Sequence, residues 1–256
     1  MSIVTNENEW AQEMIKTRTL GRKPFETMSR VARYYIDQNY STDEVRRKLD
    51  GFLLQCDPTA SLPKWSDMLD KALARAVKHE AIEIDNITVT EPEIKKIRQL
   101  ESVPLKRLAF TLLCLAKYWN EVNPGSYWVN TKDSEIMNAA NIKASTKRQS
   151  LLYHTLEQLG YISFSMKVDN TNIKVCFAEE GETALLISDF RNLGYQFMLF
   201  DGSGDYIRCQ NCGLVVRKNN IVREEFPQSA GRPQKYCKLC ATQIKIRRKV
   251  DSVMHK

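Results

Sequence analysis

Cys209-Gln210-Asn211-Cys212-Gly213, and then Cys237-Lys238-Leu239-Cys240, is the stretch whose reading organises this chain. Each Cys-x-x-Cys pair lets two thiolates reach one ion from a tight turn. Two such pairs complete a tetrahedral sulfur site, the geometry that zinc takes readily. With four protein ligands no position is left for a catalytic water, so one structural zinc per chain is expected at Cys209, Cys212, Cys237 and Cys240. Iron in the same cage is the chemical rival. Disulfides or free thiols are the blander alternatives. Nothing after Met1-Ser2-Ile3 reads as a secretory leader, and Cys56, Cys114 and Cys176 sit in apolar runs, so a reducing, cytoplasmic setting is expected for a bacterial or host cell.

Gly213 follows the first pair and permits the amide-rich turn that sulfurs need. Asp205 to Arg208 and Arg232 to Tyr236 read as strand-like approaches to the two pairs. Together these features resemble a zinc ribbon with two facing β-knuckles. That resemblance implies a small C-terminal module over 201–256.

Charge singles out the same end. The chain has 256 residues, 43% hydrophobic and 27% charged, with a net charge of +7. Residues 208–256 hold 12 Lys/Arg and 3 Asp/Glu, a balance of +9, so the remaining 207 residues carry −2. Such asymmetry points to an anionic partner: DNA, RNA or an acidic protein surface. Arg217, Lys218, Arg232, Lys235, Lys245, Arg247, Arg248 and Lys249 are the cations this reading puts against phosphates. No apolar run approaches the roughly 20 residues that span a bilayer, so no membrane association is expected.

Residues 1–90 read as a helical N-terminal domain. Phe25, Met28, Val31, Ala32, Tyr35 and Ile36 recur at helical spacing. Ser41-Thr-Asp-Glu44 is a capping box, opening a helix with Val45, Leu49, Phe52, Leu53 and Cys56 on one face. Pro63 starts another helix through Trp65, Leu69, Ala76 and Val77. Residues 81–90 alternate as a strand or extended linker.

Residues 91–200 carry the second pattern. An amphipathic helix from Leu105 to Val122 is followed by a short strand at Tyr127–Asn130 and a brief helix at Ser134–Ala140. A turn leads to Ser145, which caps a helix from Thr146 to Leu159, with Leu151, Leu152, Thr155, Leu156 and Leu159 inward. Gly160 ends it, and a hairpin follows from Tyr161 to Phe177. The order helix, strand, helix, turn, helix, hairpin resembles the winged helix-turn-helix, over about 75 residues and with no invariant catalytic motif. The resemblance implies that Ser145 begins a recognition helix whose first residues meet duplex DNA. Lys143, Ser145, Thr146, Lys147, Arg148 and Gln149 are then the candidate readers. In the wing, Lys167, Asn170, Asn172 and Lys174 suit a phosphate backbone or minor groove. Asp201-Gly-Ser-Gly204 reads as a hinge before the ribbon.

The expected fold is mainly α with small β elements, in three modules, in the style of DNA-binding proteins of bacterial viruses and mobile elements. No nucleophilic triad, phosphate loop or metal-hydrolase motif occurs, which argues against an enzyme. Two functions fit. One is a nucleic-acid-binding protein in replication or transcription control, with double-stranded DNA as partner. The other is a viral-type interaction protein whose basic ribbon docks on a host protein or nucleoprotein complex and inhibits it. The sequence does not set the oligomeric state.

Overall fold

A computed structural model describes residues 3–125, 127–165, 172–218 and 234–254. The chain is mainly helical with small antiparallel sheets. It divides into two compact units, Ser2–Asp85 and Asn86–Lys256.

The N-terminal unit contains α1 (Glu7–Thr17), α2 (Pro24–Asp37), α3 (Thr42–Cys56) and α4 (Leu62–Lys78). Met28, Val31, Val45, Leu49, Leu53 and Leu69 form its buried centre. The capping box is present: the Glu44 carboxylate accepts from the Ser41 backbone N–H at 2.9 Å. Val77 turns outward instead of continuing the apolar face of α4. Glu7 is buried between two guanidiniums, Arg30 at 3.1 Å and Arg33 at 2.8 Å. It also accepts from the Ile82 backbone N–H at 3.3 Å, which fastens the end of the unit to its start.

The C-terminal unit is built on β1 (Ile87–Thr90), α5 (Glu91–Arg98) and α6 (Val103–Val122). The apolar positions of α6 predict one buried face, yet Leu108, Phe110, Leu112, Leu113, Cys114 and Ala116 are all fully buried. The reason is tertiary. Neighbours cover α6 all round: β1, α5, β2 (Trp128–Val129), α7 (Asp133–Ala139), α8 (Thr146–Gln158), β4 (Ile173–Val175) and α9 (Leu193–Phe200). β3 (Ile162–Phe164) completes a three-stranded antiparallel sheet of order β2-β4-β3.

The apolar stretch after this sheet folds back on the same unit. β5 (Thr183–Ile187) returns to pair antiparallel with β1, Ile87 opposite Ile187. α9 then lays Phe197 against Phe110, ring centroids 5.2 Å apart. The Gly-Ser-Gly segment closes α9: the Ser203 N–H reaches back to the Met198 carbonyl at 2.9 Å, and Gly202 supplies the positive φ of 84° that this turn requires. Arg98 holds Asp201 at 2.7 Å. The expected hinge is thus a pinned helix end.

The inward face of α8 also differs from the pattern. Leu152, Tyr153 and Leu156 are buried, while Leu151 is 64% and Leu159 56% exposed. The buried arc is centred near Leu156; Leu151 projects about 140° away from it, and Leu159 is the C-cap, past the last turn of the helix.

Glu93 is fully buried. Its carboxylate meets Lys117 Nζ at 2.9 Å and accepts from the backbone N–H groups of Thr90 at 2.8 Å and Glu179 at 2.9 Å. Removing one partner of such a pair leaves a charge without compensation. Glu93→Ala is expected to destabilise the protein by about 3–5 kcal/mol, measured by denaturant unfolding. A loss under about 1 kcal/mol, the scale of an exposed ion pair, contradicts this account.

Candidate metal centre and nucleic-acid interface

β6 (Tyr206–Arg208) and β7 (Val215–Arg217) form a hairpin with Arg208 opposite Val215. Its turn carries Cys209 and Cys212. Gly213, at φ 72°, closes the turn by donating its N–H to the Cys209 carbonyl at 3.0 Å. The second pair is not the mirror image expected of it. Among the described residues, 234–237 form no strand, and Cys240 lies in the first turn of α10 (Lys238–Met254) with Cys237 just before it. One pair therefore sits on a hairpin and the other at a helix start. The Gln210 N–H joins the two by donating to the Lys235 carbonyl at 3.0 Å.

The four sulfurs lie within 4.8 Å of one another, close enough to hold a metal ion. The Cys212 and Cys237 sulfurs are 3.8 Å apart. A tetrahedron with metal–sulfur bonds of about 2.3 Å has edges of about 3.8 Å, so this pair already stands at ligand spacing. N–H donors face the sulfurs: Cys237 N to Cys209 at 3.2 Å, Cys240 N to Cys237 at 3.5 Å, and the Asn211 amide to Cys240 at 3.3 Å. Burial pushes the Cys209 thiol up, but the N–H groups of Cys237, Cys212 and Asn211 outweigh it and bring the thiol down to about 6. Cys240 moves the other way. The Asn211 amide lowers it, yet the crowding sulfurs of Cys237, Cys212 and Cys209 together with burial push it up to about 12. A divalent cation relieves this sulfur-on-sulfur repulsion, because it binds thiolates and displaces their protons.

Residues outside the sequence motifs hold this hairpin to the body of the unit. Arg191 donates to the Cys212 carbonyl at 2.9 Å while paired with Asp189 at 2.8 Å. Asn192 donates to the Val215 carbonyl at 2.9 Å and accepts from the Asn141 amide at 2.9 Å. Asn141 and Asn192 both occupy left-handed backbone, φ 56° and 51°, which asparagine tolerates better than most residues. Arg107 caps the end of α7, bonding the Ala140 carbonyl at 2.8 Å and that of Asn141. Gly194 is obligatory here, since a Cβ would overlap the Ala140 carbonyl. Only the asparagine in the predicted turn after α7 hinted at this junction.

Lys143, Ser145, Thr146, Lys147 and Arg148 are exposed at the start of α8. Gln149 is half-buried, and its side-chain amide donates to the Ala144 carbonyl at 2.7 Å. Lys174 is exposed on the middle strand of the sheet, and Asn172 is half-buried beside it. Lys167, Asn170 and Arg232 lie outside the described residues. In the cysteine module Lys235, Lys245, Arg247 and Arg248 are exposed and Lys218 is half-buried. Arg217 is partly neutralised by Asp205 at 3.5 Å. Lys249 falls within α10, beyond which nothing is described of it. No helix among the described residues is long and apolar enough to cross a membrane. Comparison with protein-family models, curated proteins and solved structures finds no match.

Because the sulfur cluster ties the hairpin to the start of α10, metal removal is expected to loosen them. One equivalent of metal per chain is expected in native protein. Cys237→Ser is expected to abolish it and to expose the hairpin to amide exchange, while residues 3–200 keep their protection. Undiminished metal content in that variant contradicts the assignment.

Proposed function

We propose that this chain is a non-enzymatic, double-stranded-DNA-binding protein acting in replication or transcription control. In this reading the segment from α6 to β4 is a winged helix-turn-helix, α8 is its recognition helix, and the cysteine module is a zinc ribbon whose cations grip phosphates. Zinc is favoured over iron because the cluster has the character of a closed structural site, tied in by backbone amides. The strand order β2-β4-β3 beneath α7 and α8 supports the winged-helix reading.

One observation carries the proposal. α8 begins with Lys147 and Arg148, has no acidic residue in its first turn, and has Lys143 just upstream. The positive end of a helix dipole disfavours cations by a few tenths to about 1 kcal/mol each. Among the described residues none of the three has an ion-pair partner. A nearby phosphate track removes that penalty and is what such an arrangement fits.

A second reading, docking on a host protein, draws on the exposed Leu151 and Leu159 of the same helix. Duplex binding against salt separates the two. Fluorescence anisotropy with a random-sequence duplex is expected to give a steep, log-linear loss of affinity, with a slope of about −0.9 per phosphate contact. Deleting residues 242–256 is expected to flatten the slope by about two to four units. Lys147→Ala with Arg148→Ala is expected to weaken binding further and, through Arg148, to change sequence preference. Gln149→Ala is expected to leave preference untouched. Absence of duplex binding at low salt overturns the reading in favour of protein docking.

A further inference from the structure

α10 leaves the body after its first turn. From Thr242 to Arg248 every residue except Ile244 is exposed. A helix of this length gains little stability in water unless it packs an apolar face. α10 has such a face, and it is exposed: Leu239 at 75%, Ile246 at 56% and Val250 at 50%. Leu239 and Ile246 are seven residues apart, and Val250 lies four beyond. With Gln243, and with Val253 next in the sequence, they take alternating d and a positions of a heptad, the spacing of a two-stranded seam.

From this spacing we infer that α10 is a dimerisation helix and that its occupant is a second copy of this chain, paired in parallel. Phosphates cannot cover aliphatic side chains, so nucleic-acid binding leaves this stripe unexplained. In a parallel pair the flanking Arg247 meets the uncharged Thr242 of the second copy, so no like charges face each other there. In parallel register Gln243 also faces Gln243, and the two amides can donate to and accept from each other. A lone polar layer of this kind fixes register and a two-stranded state. Lys245 and Arg248 sit on the far side of the helix from the seam, since successive residues turn by about 100°. They stay available to an anion in the dimer.

The seam is short, so the dimer is weak and concentration-dependent. Sedimentation velocity on full-length, metal-loaded protein without nucleic acid, across ~1–200 μM, is expected to show a monomer–dimer equilibrium. Ile246→Asp is expected to give monomer throughout, with unchanged metal content and far-UV circular dichroism, because Ile246 supports no contact inside the chain's core. Gln243→Lys, which brings two cations together only in parallel pairing, is expected to weaken the dimer at least tenfold. A wild-type protein that stays monomeric, or a dimer that survives Ile246→Asp, overturns the proposal. A dimer indifferent to Gln243→Lys overturns the parallel arrangement.

Discussion

The C-terminal unit depends on one buried carboxylate. Glu93 lies at the start of α5 with no exposure to solvent, and four chain segments converge on it. Lys117, from the middle of α6, meets it and also donates to the Thr88 carbonyl in β1 at 2.7 Å. The N–H of Glu179 approaches from the segment that leads into β5. Burying an ion pair is costly unless its remaining donors and acceptors are satisfied, and here backbone groups supply them. The pair therefore acts less as a source of stability than as a selector of arrangement. The packing of β1, α5, α6 and β5 seen here satisfies these groups.

That selection propagates outward. With α6 fixed at the centre, α7 and α8 can lie against it only as the Arg107 bonds to Ala140 and Asn141 allow. α9 then crosses the end of α7 at Gly194, and the asparagine bridge from Asn141 through Asn192 to Val215 carries the cysteine hairpin. The metal cluster and the turn before α8 are thus two ends of one hydrogen-bonded junction. In the proposed function, this junction sets the spacing between the cysteine hairpin and the recognition helix.

The surface breaks ordinary helix rules in two places. α8 begins with cations where a dipole favours anions, and α10 projects an apolar stripe into solvent. Neither helps an isolated chain fold. Departures of this kind from local consistency gather at functional surfaces. The two helices divide the labour: one presents charge suited to a polyanion, the other apolar area suited to a second copy.

The cysteine spacing alone determined that Cys209, Cys212, Cys237 and Cys240 form one site, because ligand chemistry depends on residue type and short-range turns. The helix start at Ser41, and the element order from α6 to β4, were legible for the same reason: caps and periodicity are local. Tertiary structure decided the rest. β5 pairs with β1, about a hundred residues earlier, and no local pattern encodes a partner that distant. The hydrogen bond from Gln149 to the Ala144 carbonyl follows from the turn before α8 and has no signature in the sequence. Leu151 and Leu159 read as core, yet the first projects away from the buried arc centred on Leu156 and the second lies at the helix's C-cap. The second cysteine pair reads as a β-knuckle, yet it opens a helix, since two thiolates at that spacing are served equally well by a turn of helix. Periodicity tells which residues share a face; only packing determines which face is covered.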